Sequence, residues 1–317
     1  MNSNDLDKEI KRDVIDGLNS HPQTLPSKYF YDAKGDELFR QIMKLPEYYL
    51  TSCEFEILKD RGTEILQKVF GDSARGNLLE LGAGDGFKTK LLLSSIMKNQ
   101  FNITYVPIDI SQNILDVLCN DIEKEFPGLK VEPACNDFFE AVKQKSAKGI
   151  KNLILFLGST VGNLREGEQS RFFADLSHSC NAGDYVLTGF DLQKNPKVIL
   201  AAYNDASGTT KAFNINLIER LNREVSPGFE PDDFEHYPSY DPLMGVARSF
   251  LVPKVSKEIE IDGEKVKIIK GQPIHCETSR KFTVAQIEQL AGDHGFTVVQ
   301  HYFDKNGFFT DSLWRKK

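Results

Sequence analysis

Three closely spaced glycines, Gly82, Gly84 and Gly86, are the residues with the clearest chemical meaning in this chain. They lie in segment 77–93, which reads NLLELGAGDGFKTKLLL. A short apolar run precedes them, and a helical pattern of leucines and lysines follows. A strand, a glycine turn and a helix form nucleotide sites in α/β sheets, because glycines let the backbone approach a ligand and a helix N-terminus offers free N–H groups. The segment predicts a nucleotide-like ligand.

The glycine spacing indicates which kind of nucleotide to expect. Dinucleotide sites use G-x-G-x-x-G, whereas this turn has G-x-G-x-G with Glu80 before it. The pattern E-L-G-x-G-x-G resembles motif I of the S-adenosylmethionine-dependent methyltransferases. A tight turn without a ligand is one alternative. An NAD-linked oxidoreductase is another, and the spacing disfavours it.

Polar and aromatic residues at the ends of the following strands could complete such a site. Lys88 opposes the helix dipole in the first helical turn, so we expect either a specific partner such as a ligand carboxylate or a solvated lysine. Asp109 could accept the ribose hydroxyls, or cap a helix. Asp137 could bind an exocyclic amine and Phe138 could stack on a purine, or the two could be an N-cap and a core side chain.

Apolar periodicity predicts the elements that position these residues. Helical spacing is found at 5–20, 35–44 and 51–69. Short apolar runs then alternate with amphipathic helices, which is typical of a parallel sheet. The predicted strands are 77–81, 103–109, 129–134, 152–158 and 184–190.

The alternation stops after Asp191. A helical stretch over 195–224 is followed by a predicted loop that contains Pro227, Pro231 and Pro238. Further strands are predicted at 246–254, 257–262, 264–271 and 274–282, with a hairpin at Asp262-Gly263. A helix over 284–295 and two strands, 296–304 and 308–314, complete the pattern.

The terminal hairpin fits the methyltransferase resemblance, which implies a class I, Rossmann-like α/β sheet of five parallel strands and a C-terminal antiparallel hairpin. We expect the core to comprise residues 70–192 and 283–317. Residues 1–69 and the insertion 193–282 are expected to form a second, α+β lobe that binds substrate.

Several motifs in register make the resemblance more specific. They are PSKYFYDAKGDELFRQIMKLPEYY (26–49), ELGAGDGFKT, PIDIS, FLGSTVGN (156–163), AAYNDASGTTKAFN and ETSRKF. Together they resemble the family of the histidine N-alpha-methyltransferase of ergothioneine biosynthesis, from about Lys28 to the C-terminus. The family implies S-adenosylmethionine as cofactor, S-adenosylhomocysteine as its product, and no metal.

The resemblance also implies roles for individual residues in binding the amino acid. Asn163 matches a residue that binds the α-amino and carboxylate groups, and Tyr203 one that binds the carboxylate. Tyr31 and Tyr48 match pocket tyrosines; packing tyrosines would look the same. Glu277 and Ser279 match a pair that faces an imidazole, although a solvent face would explain them too. Strand alternation places His275 on the same face as this pair.

The implied reaction is trimethylation of the α-amino group of a free amino acid. L-histidine is the favoured acceptor, and its trimethylated product is hercynine. Asn163 and Tyr31 are the candidate catalytic residues, because they could orient the amine. Near Ala247 or Arg248 the histidine enzyme of the family has a methionine, so the acceptor could differ. Tryptophan or another imidazole amino acid is the alternative acceptor, and a non-catalytic S-adenosylmethionine-binding protein is the alternative class.

Composition excludes other classes of protein. The chain has 317 residues, 40% of them hydrophobic, and a formal net charge of −7, which disfavours nucleic-acid binding. Its five cysteines are scattered without C-x-x-C pairs, which indicates reduced thiols. We find neither a signal peptide nor a membrane span, so we expect a cytoplasmic protein. We also expect it to be a monomer.

Overall fold

The computed structural model describes residues 3–71, 75–146, 150–226 and 228–317, so Pro227 of the predicted loop lies outside the described residues. The chain divides into two compact units. Unit 1 comprises Met1–Tyr49 and Lys194–Arg280, and unit 2 comprises Leu50–Gln193 and Lys281–Lys317. The first boundary therefore falls at Tyr49 and not at the predicted residue 69, because the helix after Tyr49 makes its contacts within unit 2.

The elements follow the predicted alternation along the chain. The helices are α1 (Ser3–Asn19), α2 (Ala33–Ile42), α3 (Tyr49–Phe70), α4 (Thr89–Lys98), α5 (Gln112–Glu125), α6 (Phe138–Lys145), α7 (Glu166–Ser179), α8 (Pro196–Tyr203), α9 (Thr209–Glu224) and α10 (Val284–Asp293). The strands are β1 (Gly76–Leu81), β2 (Ile103–Asp109), β3 (Ala134–Cys135), β4 (Lys151–Phe156), β5 (Tyr185–Asp191), β6 (Phe234–Asp241), β7 (Val246–Pro253), β8 (Lys257–Ile261), β9 (Glu264–Ile268), β10 (Ile274–Arg280), β11 (Phe296–Phe303) and β12 (Phe309–Lys316).

The described part of unit 2 contains a seven-stranded sheet in the order β11-β12-β5-β4-β1-β2-β3. Strands β1 to β5 pair in parallel, and β12 runs antiparallel to both β5 and β11. The interior strands are buried on both faces, which is why they read as continuous apolar runs. The predicted class I sheet, with five parallel strands and a terminal antiparallel hairpin, is confirmed.

One strand of this sheet is shorter than predicted. Of the predicted strand 129–134, only Ala134 pairs with β2 in a ladder, together with Cys135, and Val131 makes an isolated bridge to Tyr105. Pro133 lies between them and has no N–H to donate, so the ladder is interrupted there.

Unit 1 is α+β. Its described residues contain a three-stranded antiparallel sheet, ordered β10-β7-β6, and a two-stranded hairpin of β8 and β9. Asp262 and Gly263 join β8 to β9 with φ of 49° and 84°, the positive values that a tight two-residue turn needs. Helices α8 and α9 pack on β6 and β7, so one face of the three-stranded sheet is covered. We call this covered face the inner face.

The structure corrects two predictions in unit 1. The predicted helix over 195–224 breaks into α8 and α9, because the Asp205 carboxylate accepts hydrogen bonds from the N–H groups of Thr209 and Thr210 at 2.9 and 2.7 Å and so starts a new helix. The predicted loop around Pro238 is instead strand β6. Proline is tolerated there because β6 is an edge strand, where one row of N–H groups needs no partner in the sheet.

Candidate active site

The glycine turn lines a pocket of about 270 Å³ in unit 2, at the carboxyl ends of β1 and β4. Gly82, Gly84 and Gly86 have φ of 68°, 54° and 63°, a left-handed conformation that side chains other than glycine adopt at a cost. The pocket wall is therefore bare backbone at these positions. The rest of the lining comes from Glu80, Leu81, Ala83, Asp85, Phe87, Lys88, Phe138, Phe156, Leu157, Gly158 and Thr160.

Glu80 at the end of β1 is a buried acid of this pocket. Its carboxylate accepts hydrogen bonds from the Thr89 and Tyr105 hydroxyl groups. Burial raises the pKa of Glu80 to about 7, although these two hydrogen bonds oppose the shift. Glu80 thus links β1, β2 and the first turn of α4 behind the glycine loop.

Lys88 has a partner inside the protein. Its ammonium pairs with the carboxylate of Glu54 on α3, which is fully buried, and the Lys88 side chain is only 21% exposed. The prediction of a solvated lysine is therefore wrong. Lys88 also lines the pocket, so its ammonium is close to where a ligand would lie.

The predicted adenosine contacts are found at strand ends, where they also have local functions. Asp109, the last residue of β2, accepts a hydrogen bond from the Ser111 N–H at 2.9 Å, and Ser111 in turn caps α5. Asp137 caps α6 by accepting from the N–H groups of Phe139 and Glu140. Phe138 is half-buried and lines the pocket beside the glycine turn.

Unit 1 brings the predicted acceptor tyrosines into one aromatic cluster. The Tyr31 ring lies 5.6 Å from both Phe39 and Phe213, and Phe39 lies 6.2 Å from Tyr48. Desolvation of the hydroxyl group and the negative charge of Glu277 raise the pKa of Tyr31, with smaller contributions from Asp36 and Tyr203. Tyr31 therefore stays protonated at neutral pH. The residue as a whole is 43% exposed, so only part of it is shielded from water.

Strand register settles which residues share a face with Glu277. Glu277 is paired with Ser249 and Ser279 with Ala247, and these two partners alternate with Arg248 along β7. Glu277 and Ser279 therefore lie on one face, together with the buried Ala247 and Ser249.

A bulge in β10 separates His275 from this face. The register shifts between His275 and Glu277, so His275 is paired with Phe250 on the other face. The imidazole of His275 contacts the Thr278 hydroxyl at 2.9 Å, also on that face. The prediction that His275 shares the face of Glu277 and Ser279 is wrong, because an extra residue at the bulge inverts the alternation.

The pairing of β7 with β10 also shows on which face of the sheet Ala247 and Arg248 lie. Ala247 is 1% exposed and lies on the inner face next to Ser279. Arg248 is paired with Thr278 and Ser239, on the opposite face. The guanidinium of Arg248 therefore adds no positive charge to the inner face.

Asn163, the remaining predicted acceptor residue, lies in unit 2. It is the last residue of a 3-10 turn, Thr160–Asn163, that follows β4, and its side chain is exposed. Two residues with positive φ, Gly158 and Ser159, precede the turn.

Sequence reasoning missed two buried acids, Glu54 and Asp311. Only Glu54 could have been recognised from the sequence pattern. Glu54 occupies a position in the apolar stripe of α3, whose other members are Leu50, Cys53, Ile57 and Leu58. A charged residue at such a position must be buried and therefore paired. The other acid, Asp311, is in the interior strand β12, between β11 and β5, and is fully buried, but no motif marks it.

The sheet order, the terminal hairpin and the glycine loop together define the class I methyltransferase fold. The chain matches the family described as histidine-specific methyltransferase, SAM-dependent, over residues 10–316, and it belongs to that family. It is therefore an S-adenosylmethionine-dependent methyltransferase, and the resemblance inferred from its motifs is confirmed.

Relatives of known name agree with this assignment. The histidine N-alpha-methyltransferases of Mycolicibacterium smegmatis and Mycobacterium tuberculosis are 33% and 32% identical, over 96% and 97% of this chain and 94% and 95% of their own lengths. Ergothioneine biosynthesis protein 1 of Schizosaccharomyces pombe is 28% identical over 88% of this chain and 37% of its own length.

The pocket of unit 2 fits the cofactor of this family. Its backbone wall at the glycines permits close approach, Lys88 offers a cation for a carboxylate, and Phe138 offers an aromatic face. Among the described side chains, no three His, Cys, Asp or Glu residues are grouped to hold a metal ion. None of the helices described here is long and apolar enough to cross a membrane.

Proposed function

We propose that the chain methylates the α-amino group of L-histidine with S-adenosylmethionine as donor, and that three transfers give hercynine. The observation that carries this proposal is that Glu277 and Ser279 lie side by side on the inner face of unit 1. A carboxylate and a hydroxyl on one strand suit a planar ring with an N–H donor and an acceptor, which imidazole provides.

The donor is proposed to lie against the glycine turn. Bound S-adenosylmethionine supplies a methyl group on a positively charged sulfur, a strong electrophile. Lys88 would hold its carboxylate and Asp109 its ribose hydroxyls, while Asp137 and Phe138 would hold the adenine amine and ring. Positioning is the main contribution that these residues make, because the electrophile is already reactive.

The acceptor amine is proposed to be oriented by Asn163 and Tyr31. Tyr203 and Asn163 would hold the carboxylate, and Tyr48 would line the pocket with Tyr31. An amine attacks only in its neutral form, with its lone pair directed at the methyl group. Because the pKa of Tyr31 is raised, its hydroxyl donates or accepts a hydrogen bond and does not act as the proton acceptor at neutral pH. Solvent takes the proton in this scheme.

A substrate panel tests the proposed reaction. The protein is incubated with S-adenosylmethionine and each amino acid, and the products are analysed by mass spectrometry for gains of one, two and three methyl groups. We expect all three gains with histidine. A gain with tryptophan or another imidazole amino acid alone would show a different acceptor. Donor binding without any methyl gain would show a non-catalytic binding protein.

Matched substitutions test the proposed residue roles. Glu277→Gln should raise KM for histidine about tenfold or more, because a charged hydrogen-bond partner is lost. Glu235→Gln is the control, since Glu235 is exposed on the opposite face of the same sheet.

Asn163→Ala should weaken histidine binding and leave S-adenosylhomocysteine binding intact. Asn120→Ala, at an exposed position on α5, is the control for this substitution. Loss of donor binding alone in Asn163→Ala would contradict the role assigned to Asn163.

A further inference from the structure

The buried carboxylate of Glu54 connects two segments that line the pocket in unit 2. This carboxylate is fully buried and accepts the Gly158 N–H at 2.8 and 3.0 Å from its two oxygens. The same carboxylate pairs with the ammonium of Lys88. Both Gly158 and Lys88 line the pocket. One side chain on α3 thus fixes a backbone amide after β4 and a cation before α4.

A second buried acid lies behind Glu54. Asp311 on β12 is fully buried, and neither of its oxygens receives a hydrogen bond from any donor among the described residues. Burial and the charge of Glu54 raise the pKa of Asp311 well above its usual range. Asp311 is therefore the protonated member of the two acids.

A glycine in the sheet leaves space for the carboxyl groups of Glu54 and Asp311. Gly189 on β5 lies directly across from Asp311, and a Cβ atom at Gly189 would collide with the Glu54 carboxylate. With Asp311 neutral, the single negative charge of the pair is balanced by Lys88. The group is then neutral overall, as a buried site requires.

We propose that Glu54 is a positioning residue of the donor site, which holds Lys88 and the backbone at Gly158 in place where they line the donor pocket. This inference rests on the donor site proposed above. Without the Glu54 charge, the Lys88 ammonium has no fixed location. The Gly158 amide also loses a charged acceptor.

Calorimetric titration with S-adenosylhomocysteine tests the proposal on the full chain. Glu54→Gln should weaken binding about tenfold or more, since a hydrogen bond to a charged group contributes roughly 1.5–3 kcal/mol. Glu56→Gln is the matched control: Glu56 is on the same helix and binds Lys305, away from the pocket. Its affinity should equal that of the wild type.

A double-mutant cycle separates positioning from general destabilisation. If Glu54 acts through Lys88, the variant Glu54→Gln/Lys88→Met loses less affinity than the sum of the two single losses. Should Glu54→Gln fail to fold, Gly189→Ala displaces the same carboxylate by crowding and should weaken binding in the same direction.

Two results would overturn the proposal. One is wild-type affinity in Glu54→Gln, and the other is strictly additive losses in the cycle. Absence of S-adenosylhomocysteine binding by the wild type would instead show that the proposed donor site is wrong, so the two failures are distinguishable.

Discussion

Ala247 lies directly across from Ser279 in the antiparallel pair of β7 and β10, whereas its neighbour Arg248 lies on the opposite face of the sheet. The smallest chiral side chain therefore stands beside a residue proposed to contact the acceptor ring. Space next to Ser279, and not the charge of Arg248, is the property of this strand that can set which amino acid is accepted.

Ala247→Met should narrow the acceptor range. A longer side chain beside Ser279 reduces room on the inner face, and overpacking of this kind costs about 1–3 kcal/mol. We expect kcat/KM for tryptophan, or any accepted amino acid larger than histidine, to fall about tenfold relative to that for histidine. Arg248→Ala is the control and should leave this ratio unchanged. Equal effects of the two substitutions would contradict the face assignment.

Glu80 should make stability depend on pH. Its pKa is raised from 4.5 to about 7, so between these values the folded protein holds a proton that the unfolded chain has released. The free energy of unfolding therefore falls as pH rises through this window, by about 3 kcal/mol, and is level above it. Urea unfolding of wild type and Glu80→Gln across pH 4.5–7 measures the difference, with Glu123→Gln as an exposed control. A pH-independent difference would show that Glu80 is ionised when buried.

His236 should have the opposite effect in unit 1. Burial, aided by the positive charge of Lys211, lowers its pKa from 6.5 to about 4, against an opposing effect of Asp205. The folded protein keeps His236 neutral while the unfolded chain binds a proton, so about 3 kcal/mol of stability is lost as pH falls from 6.5 to 4. NMR titration of the imidazole, assigned with His236→Gln, should give a midpoint near 4. A midpoint near 6.5 would contradict the burial of this ring.

Lys281 and Asp191 form a fully buried ion pair at 2.7 Å in unit 2. Lys281→Met leaves the carboxylate of Asp191 without its ammonium, which should lower the free energy of unfolding by about 3–5 kcal/mol. Lys281→Met/Asp191→Leu should be more stable than the single variant, because no charge is then left buried. Denaturant unfolding measures both. Lys130→Met, which removes an exposed ion pair with Glu132, should leave the midpoint unchanged.

Much of the fold follows from local patterns in the sequence. The glycine turn, the apolar strands and the Asp262-Gly263 turn depend on residues close in sequence, and the structure has them where the pattern predicts, except that only Ala134 of the predicted strand 129–134 pairs in a ladder. Strand β6 was missed because proline disfavours strands on average. Only the order of strands in the sheet, a long-range property, shows that Pro238 is at an edge.

The candidate site was harder to predict, because its geometry also depends on contacts between residues far apart in sequence. A single bulged residue in β10 moved His275 to the other face, and bulges have no reliable sequence signal. Glu54 is far in sequence from both Lys88 and Gly158, so no local motif could show that it connects them. Its location in an apolar helical stripe indicated burial but not its partners.

The chain passes between the two units at Tyr49, at Gln193 and again at Arg280, and this has a consequence for biosynthesis. Residues 1–49 leave the ribosome long before residues 194–280, with which they form a core. Ile10, Val14 and Leu18 of α1, all buried in the finished protein, remain uncovered during that interval. The nascent chain therefore carries an uncovered apolar stripe on an otherwise polar and charged segment, which is available to chaperones. Neither core can form until its later segment, 194–280 or 281–317, has been synthesised.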